Sequence, residues 1–226
     1  ERFFDAWANG KGETIKSGGT VVKNVTGYDL SKLITGSFGT LSILTEITLK
    51  VLPKKNFSNT VVIDVEDHKK IYDLFNLISG SSSEVSGAVF IPSEPVDKNY
   101  KKNRDKIFKF NDLDFKGPFL AFRVEGDKIS INEKIKSLTE ELQLNTLKTF
   151  LLDSYQSNPF WKKINNLEIF KQTKNNLLRV VVPPSKGPKL MQFLSNKYKY
   201  YIDWCGSLYW IEVQSKKNSK VSDIKK

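Results

Sequence analysis

The chain has 226 residues, 39% of them hydrophobic and 27% charged, a composition that supports one large or two small folded domains. Its one histidine and one cysteine exclude an internal disulfide framework, a Cys/His zinc site and an iron–sulfur cluster held by this chain. The net charge of +11 comes mainly from lysines spread among acids, which argues against nucleic-acid binding and favours a weak attraction to an acidic partner or an anionic membrane surface.

The hydropathy and the N-terminus of the chain give further expectations. No stretch approaches the roughly 18 apolar residues of a membrane-spanning helix, and the N-terminus lacks the features of a secretory signal. The chain begins at Glu1, without Met, in a segment that reads as a strand, so we expect a fragment of a longer protein. His68 lies in a polar run at the start of a predicted helix, where we expect a solvated surface residue rather than a catalytic base.

Residues 1–50 differ from the rest of the chain because they are rich in glycine and read as short strands joined by tight turns. In chain order we predict a strand at 3–8, a hairpin turn at 9–12, a return strand at 13–16, helical turns at 28–34, a Gly-rich turn at 36–39, a long strand at 40–52 and a linker at 54–59.

Residues 60–215 alternate strands with amphipathic helices, apart from a polar insertion at 92–116. This β-α-β rhythm, with helices on one face, predicts a ferredoxin-like α+β sandwich. Ser130 and Glu133 have the spacing of a capping box and mark a helix start. We predict strands at 60–65, 85–91, 119–124, 147–152, 177–182, 199–203 and 208–213, and helices at 67–79, 130–142, 158–165 and 188–194.

The turn before the long strand is the segment best suited to chemistry. Gly36 and Gly39 flank it, and its other residues include the small Ser37 and Thr40. Glycines let the backbone approach a ligand closely, and successive free N–H groups form a concavity that suits anionic oxygens. A pair of glycines at this spacing is by itself more often a plain turn, so the surrounding residues decide.

The surrounding residues carry a specific resemblance. Residues 27–50 (GYDLSKLITGSFGTLSILTEITLK) resemble the second FAD-binding segment of the vanillyl-alcohol-oxidase-type, or PCMH-type, FAD-linked oxidases. Residues 18–26 (GGTVVKNVT) narrow the resemblance to the FAD-binding subunit of bacterial glycolate oxidases. Two later segments are similar to elements of the same family, at 178–184 (LRVVVPP) and 202–210 (IDWCGSLYW).

The resemblance implies an α+β fold, in which the C-terminal part of a PCMH-type FAD-binding domain is followed by a ferredoxin-like sandwich. The implied domains are the end of the FAD-binding domain at 1–55, the FAD-linked oxidase C-terminal (cap) domain at 56–215 and a disordered tail at 216–226. The first FAD-binding half, with its pyrophosphate loop, would lie upstream. We therefore expect an N-terminally truncated chain that does not hold FAD tightly on its own.

The resemblance also assigns cofactor-binding positions. Asn24 and Tyr28 are supporting candidates, and Ser42 stands where the family has glycine, which adds a side chain near the expected flavin path. No catalytic residue and no metal ligand are assigned. The positions whose backbone would line FAD are Gly36, Ser37, Phe38, Gly39, Thr40, Leu41, Ser42, Ile43 and Leu44.

The substrate site of a 2-hydroxy-acid oxidase needs a cation for the carboxylate, and the planar fork of arginine suits that role. Arg123 and Arg179 lie in predicted strands and are the two candidates. The alternative for each is a structural arginine paired with a nearby acid such as Glu125, and this is the more frequent role of an arginine.

The implied function is that of an FAD-binding subunit in a glycolate, or 2-hydroxy-acid, oxidase or dehydrogenase complex that oxidises glycolate to glyoxylate. Electrons would pass through flavin to an iron–sulfur subunit, and a larger FAD-binding catalytic subunit would complete the complex. These partners would hold the chain at the cytoplasmic face of the inner membrane as a peripheral protein. Another FAD-linked oxidase of the D-lactate type and a non-catalytic interaction subunit stay open as alternatives.

Overall fold

The computed structural model divides the chain into two compact units, residues 1–54 and 55–226. Asn24, most of the insertion at 92–116 and the tail from residue 214 lie outside the described residues. Among the residues that are described, no helix has the length and apolar composition needed to span a bilayer. The structure describes residues 2–17, 28, 30–49, 51, 53–65, 67–92, 108–110, 113–115, 118–144, 147–171, 173–195 and 197–213.

The first unit is a small antiparallel sheet with one short helix. Its elements are β1 (Arg2–Ala8), β2 (Thr14–Ile15), α1 (Leu30–Ile34) and β3 (Ile43–Leu49). The strand order is β2-β1-β3. The side-chain oxygen of Asn9 accepts hydrogen bonds from the backbone N–H groups of Lys11 (2.9 Å) and Glu13 (3.0 Å), which closes the predicted hairpin. Trp7 and Ile34 form its buried centre.

The second unit contains every strand and helix that the sequence predicts there, with shifted ends and an added short hairpin in the insertion. Its strands are β4 (Phe57–Asp64), β5 (Val85–Ile91), β6 (Phe108–Phe110), β7 (Leu113–Phe115), β8 (Phe119–Gly126), β9 (Thr149–Leu152), β10 (Asn176–Val181), β11 (Tyr200–Asp203) and β12 (Leu208–Val213). Its helices are α2 (Ile71–Gly80), α3 (Lys128–Glu141), α4 (Ser154–Asn165) and α5 (Gly187–Leu194).

The ferredoxin-like core is confirmed by the strand order β9-β4-β8-β5, in which every neighbouring pair is antiparallel. The helix α2 connects β4 to β5 across β8, and α3 connects β8 to β9 across β4, which gives the βαββαβ arrangement. Beyond β5 the sheet continues through β11, β12 and β10 to seven strands. The predicted hairpin of β11 and β12 is also present.

Helices cover both faces of this sheet, so the expectation of helices on one face is wrong. The helices α2, α3 and α5 pack on one face, where Phe75 is among the buried residues. The helix α4 packs on the other face through Phe160. The physical reason lies in the strands: residues 88–91 and 119–122 are apolar without alternation, as strands buried on both faces require.

Two helices begin earlier than predicted because their capping residues lie further upstream. The carboxylate of Asp127 accepts hydrogen bonds from two backbone N–H groups of α3 (2.9 and 3.1 Å), which places Ser130 inside the first turn rather than at the cap. Asp153 caps α4 and forms a capping box with Gln156. The helix α4 therefore begins at Ser154 instead of residue 158.

Buried hydroxyl groups anchor α4 to β4 inside the apolar layer. The Ser157 Oγ lies 2.7 Å from Thr60 Oγ1 and 3.1 Å from Ser58 Oγ, and each pair shares a hydrogen bond. The indole Nε1 of Trp161 donates to Thr60 Oγ1 (2.8 Å). These polar atoms are satisfied by one another, so they fix the position of α4 without a desolvation penalty.

His68 is half-buried rather than solvated, contrary to expectation. Its ring lies edge-on to Phe90, with the centroids 5.5 Å apart. Burial lowers the pKa of His68, while the carboxylate of Asp67 acts in the opposite direction. The imidazole therefore packs against the sheet mainly as a neutral ring at neutral pH.

Candidate functional site

The segment at residues 36–44, here called the 36–44 turn, leads from α1 into β3. Gly36 (φ 83°), Phe38 (φ 52°) and Gly39 (φ 77°) have left-handed backbones, which produce a sharp turn. No atom of the described residues lies within 4 Å of the position that a Cβ would take at Gly36 or Gly39, and the side chain of Phe38 is 98% exposed. Within the described part of the chain, the outer surface of the turn is therefore open for a ligand to approach the backbone.

Hydrogen bonds within the turn leave part of its backbone available. The N–H of Ser37 donates to Ile34 O (3.1 Å), and the N–H of Thr40 donates to Ser37 O (3.0 Å), reinforced by Thr40 Oγ1 (2.7 Å). The N–H groups of Phe38 and Gly39 take no part in hydrogen bonds among the described residues. These two donors suit an anionic or carbonyl oxygen.

The side chain of Ser42 lies at the end of the turn, just before β3. Its Oγ is buried and has no hydrogen-bond partner among the residues that the structure describes. An unsatisfied buried hydroxyl costs about 1–3 kcal/mol, a cost that a hydrogen bond to a ligand would remove. The neighbouring Leu41 and Ile43 are exposed, whereas Leu44 packs against Trp7 and fixes the end of the turn to the core.

Of the two supporting candidates for cofactor binding, the structure describes Tyr28 but not Asn24. Tyr28 lies just before α1, and its carbonyl accepts the N–H of Leu30 (2.9 Å) while its side chain is 91% exposed. Asn24 lies outside the described residues. The supporting roles of both residues stay predictions.

Arg123 on β8 makes the contacts within the protein that a structural arginine would make. Its Nε donates to Ser86 Oγ (2.9 Å), and one terminal nitrogen donates to the carbonyl oxygen of Ser86 (3.3 Å). The same terminal nitrogen forms an ion pair with Glu125 (3.5 Å), and the guanidinium lies 5.2 Å from the ring of Trp161. These contacts occupy most of the donors that a substrate carboxylate would need.

Arg179 on β10 has a different environment. It is exposed, and its guanidinium carbon lies 4.9 Å from the ring centroid of Trp204. It forms no ion pair and no hydrogen bond with any residue that the structure describes. Its five N–H donors are therefore available to an incoming anion.

The partner of Arg179 belongs to a short loop with unusual backbone geometry. Trp204 (φ 51°), Cys205 (φ 49°) and Gly206 (φ 95°) are three successive left-handed residues between β11 and β12. The contact between Trp204 and Arg179 is not predicted from the sequence. It had no local signal, because β10 and β11 are brought to either side of β12 only by the sheet order.

Asp203 fixes the start of this loop. Its Oδ1 accepts the backbone N–H of Trp204 (2.7 Å). Burial raises the pKa of Asp203, while that N–H and the positive charge of Arg123 act in the opposite direction. Burial also raises the pKa of the Cys205 thiol, so this cysteine is not an activated nucleophile.

No group of three His, Cys, Asp or Glu side chains comes together as a metal site within the described part of the chain.

No protein-family model matches the sequence. Curated relatives do match, over limited stretches. The chain is 55% identical to glycolate oxidase subunit GlcE of Escherichia coli (strain K12) over 49 residues, which are 22% of this chain and 14% of that relative.

Two further relatives carry related names. The chain is 34% identical over 82 residues to glycolate oxidase subunit GlcD of Bacillus subtilis (strain 168), covering 36% of this chain and 16% of the relative. It is 46% identical over 56 residues to D-lactate dehydrogenase of Anaerostipes hadrus, covering 25% and 12%. Each match spans less than a fifth of the relative's length. The resemblance to glycolate oxidase subunits predicted from the sequence is confirmed.

Solved structures share the fold over nearly the whole chain. One is p-cresol methylhydroxylase, with a TM-score of 0.63 at 11% identity, covering 94% of this chain and 51% of that one. Another is 4-ethylphenol oxidase from Gulosibacter chungangensis, with a TM-score of 0.60 at 10% identity, covering 93% and 50%. At these identities the likeness concerns the fold alone, and it confirms the predicted α+β architecture of the PCMH type.

Proposed function

We propose that this chain is an FAD-dependent oxidoreductase subunit, the FAD-binding subunit of a glycolate, or 2-hydroxy-acid, oxidase complex. The observation that carries the proposal is the 36–44 turn. It combines an open glycine-bounded backbone, N–H groups outside the internal hydrogen bonds and a buried hydroxyl without a partner among the described residues. The names of the curated relatives and the PCMH-type fold support the choice of FAD as the ligand.

In this proposal FAD is held mainly by the backbone of the 36–44 turn. The N–H groups of Phe38 and Gly39 donate to polar atoms of the cofactor, and the Oγ of Ser42 forms a hydrogen bond to it. Gly36 and Gly39 leave the backbone accessible because they carry no side chain. When bound, FAD supplies the acceptor for the hydride that leaves the hydroxyl-bearing carbon of the substrate.

We further propose that Arg179, rather than Arg123, holds the substrate carboxylate. A carboxylate binds best to a guanidinium that can offer two parallel N–H donors. Arg179 has no competing partner among the described residues, whereas the donors of Arg123 are directed to Ser86 and Glu125. A small 2-hydroxy acid is the substrate class in this proposal; glycolate is favoured by the glycolate oxidase relatives, and D-lactate by the D-lactate dehydrogenase relative.

The proposed complex contains a larger FAD-binding catalytic subunit and an iron–sulfur subunit that takes electrons from flavin. The names of the relatives, which are subunits of glycolate oxidase, support a multi-subunit assembly. The proposed location is the cytoplasm, with attachment to the inner membrane through the partner subunits. The excess of lysine gives this chain a positive surface for an acidic partner.

The FAD site is tested by titrating the chain with FAD and following the quenching of flavin fluorescence, over a concentration range that includes weak binding, because we do not expect the chain to hold FAD tightly on its own. Gly39→Val places a branched side chain on the open backbone and should weaken binding about tenfold or more. Gly12→Val is the matched control, because Gly12 has a similar left-handed φ of 81° and also has no described atom within 4 Å of an added Cβ, but lies in the β1–β2 hairpin. Equal effects of the two substitutions would contradict the assignment of the turn.

A further inference from the structure

The loop Trp204–Gly206 stores backbone strain beside Arg179. Left-handed backbone is unfavourable for tryptophan and cysteine because their Cβ atoms crowd the following carbonyl. Trp204 and Cys205 adopt it in succession, and Gly206 follows with φ 95°. Such strain persists only where the surrounding structure imposes it, and it is concentrated at sites that bind ligands.

Contacts with α2 and with the residues on either side of the loop impose this backbone geometry. The hydroxyl of Tyr72 donates to Gly206 O (3.1 Å), and a Cβ at Gly206 would lie 2.8 Å from a ring carbon of Tyr72 and 3.1 Å from Phe75. The carboxylate of Asp203 accepts the N–H of Trp204 (2.7 Å), and the N–H of Ser207 donates to the carbonyl of Trp204 (3.2 Å). The backbone of the loop is thus held at its ends by hydrogen bonds and along its length by its packing against α2.

The outcome of this geometry is the position of one side chain. The indole of Trp204 is 56% exposed, although burial of a tryptophan would be the favourable choice. It lies under the guanidinium of Arg179, at 4.9 Å, although β12 separates the strand of Arg179 from β11. A cation over the face of tryptophan is attracted by the ring, and arginine is often found in this arrangement.

We infer that Trp204 is a positioning residue, which holds the guanidinium of Arg179 ready for a carboxylate. This inference rests on the proposed role of Arg179 at the substrate. An exposed arginine loses much side-chain freedom when it binds an anion, and a ring that fixes it beforehand reduces that loss. Stacking on the ring also leaves the N–H groups at the edge of the guanidinium free for two parallel hydrogen bonds.

The test measures binding of glycolate and of oxalate to the full chain by titration calorimetry. Trp204→Leu keeps apolar bulk but removes the aromatic face, and it should weaken binding about fivefold. Trp204→Phe keeps an aromatic face and should restore affinity to within about twofold of the parent chain. Val181→Ala is the control, because Val181 is also exposed and lies on the same strand as Arg179.

The coupling between the two residues separates positioning from a structural role. In an Arg179→Gln background, Trp204→Leu should have no further effect on binding, whereas a purely structural loss would persist. Thermal melting of each variant checks that the sheet remains folded. If Arg179→Gln weakens binding but Trp204→Leu does not, the positioning role of Trp204 is overturned, whereas the proposed substrate role of Arg179 is kept. If neither substitution changes the affinity, or the parent chain binds no carboxylate, the proposed substrate role of Arg179 is overturned with it.

Discussion

Two arginines that lie over tryptophan rings differ in what their donor groups reach. The guanidinium of Arg123 is close to Trp161, and Ser86 and Glu125 take its N–H groups. The guanidinium of Arg179 is held by its ring contact alone within the described residues. The two arginines carry the same charge, but Arg179 has more N–H donors available for an anion than Arg123. They therefore form a matched pair for mutagenesis.

Replacing each arginine with lysine tests that contrast at constant charge. Arg179→Lys removes the planar fork and should weaken glycolate binding about tenfold, because one charge-assisted hydrogen bond is lost. Arg123→Lys should leave the affinity within about twofold. Calorimetric titration gives both values, with thermal melting as the check on folding. A larger loss of affinity for Arg123→Lys would reverse the assignment.

The helix α5 approaches Tyr72 of α2 closely at Gly187, and a substitution there tests this contact. A Cβ at Gly187 would lie 2.0 Å from the hydroxyl oxygen of Tyr72, inside a buried contact where the Tyr209 hydroxyl also donates to Gly187 O (2.8 Å). Burial raises the pKa of Tyr72 to about 12, so this hydroxyl stays protonated at neutral pH. We expect Gly187→Ala to lower the free energy of unfolding by about 1–3 kcal/mol.

Urea denaturation followed by circular dichroism measures this loss. Gly80→Ala is the control, because Gly80 ends α2 and no atom of the described residues lies within 4 Å of a Cβ added there. An equal stability of the Gly187→Ala and Gly80→Ala chains would show that the contact yields without cost.

At the scale of elements, the start of a helix depends on a single capping side chain, and the hydrophobic pattern of the sequence locates that residue poorly. Asp127 caps α3, so Asp127→Ala should lower the melting temperature by about 2–4 °C, whereas Ser130→Ala should have almost no effect. Backbone hydrogen bonds lower the pKa of Asp127. Its contribution is therefore present above the ordinary carboxyl pKa and is lost as the pH falls through the lowered value.

Thermal melts of the two variants and the parent chain at neutral and acidic pH check this assignment. The difference between Asp127→Ala and the parent should shrink at the acidic end. A larger effect of Ser130→Ala at neutral pH would restore the capping role that the sequence spacing predicted for Ser130.

Elements with strong local patterns are the ones that the sequence predicts well. The strand at 85–91 has the predicted bounds, because an apolar run follows a turn and ends at Pro92. The helix α4 was predicted four residues short, because the side chains of Asp153 and Gln156 define its start. Which face a helix covers is a tertiary property, and periodicity cannot supply it.

At the scale of the whole molecule, the predictable part of the site is the part encoded in consecutive residues. The 36–44 turn could be located from Gly36 and Gly39 and from the resemblance of its flanks. The pairing of Arg179 with Trp204 could not, because it depends on a sheet order that places β12 between two strands distant in sequence. Backbone strain at Trp204 likewise has no signature in residue type.

The most direct test of the central claim is the flavin content of this protein in the form that its own cells produce, isolated together with any partner subunits. After desalting, the subunits are separated under native conditions, and visible absorbance and released FAD are measured for each one. We predict one FAD on this protein in addition to any on a partner. A chain free of FAD, in a complex whose other subunits are loaded with flavin, would contradict it and would favour a non-catalytic interaction role.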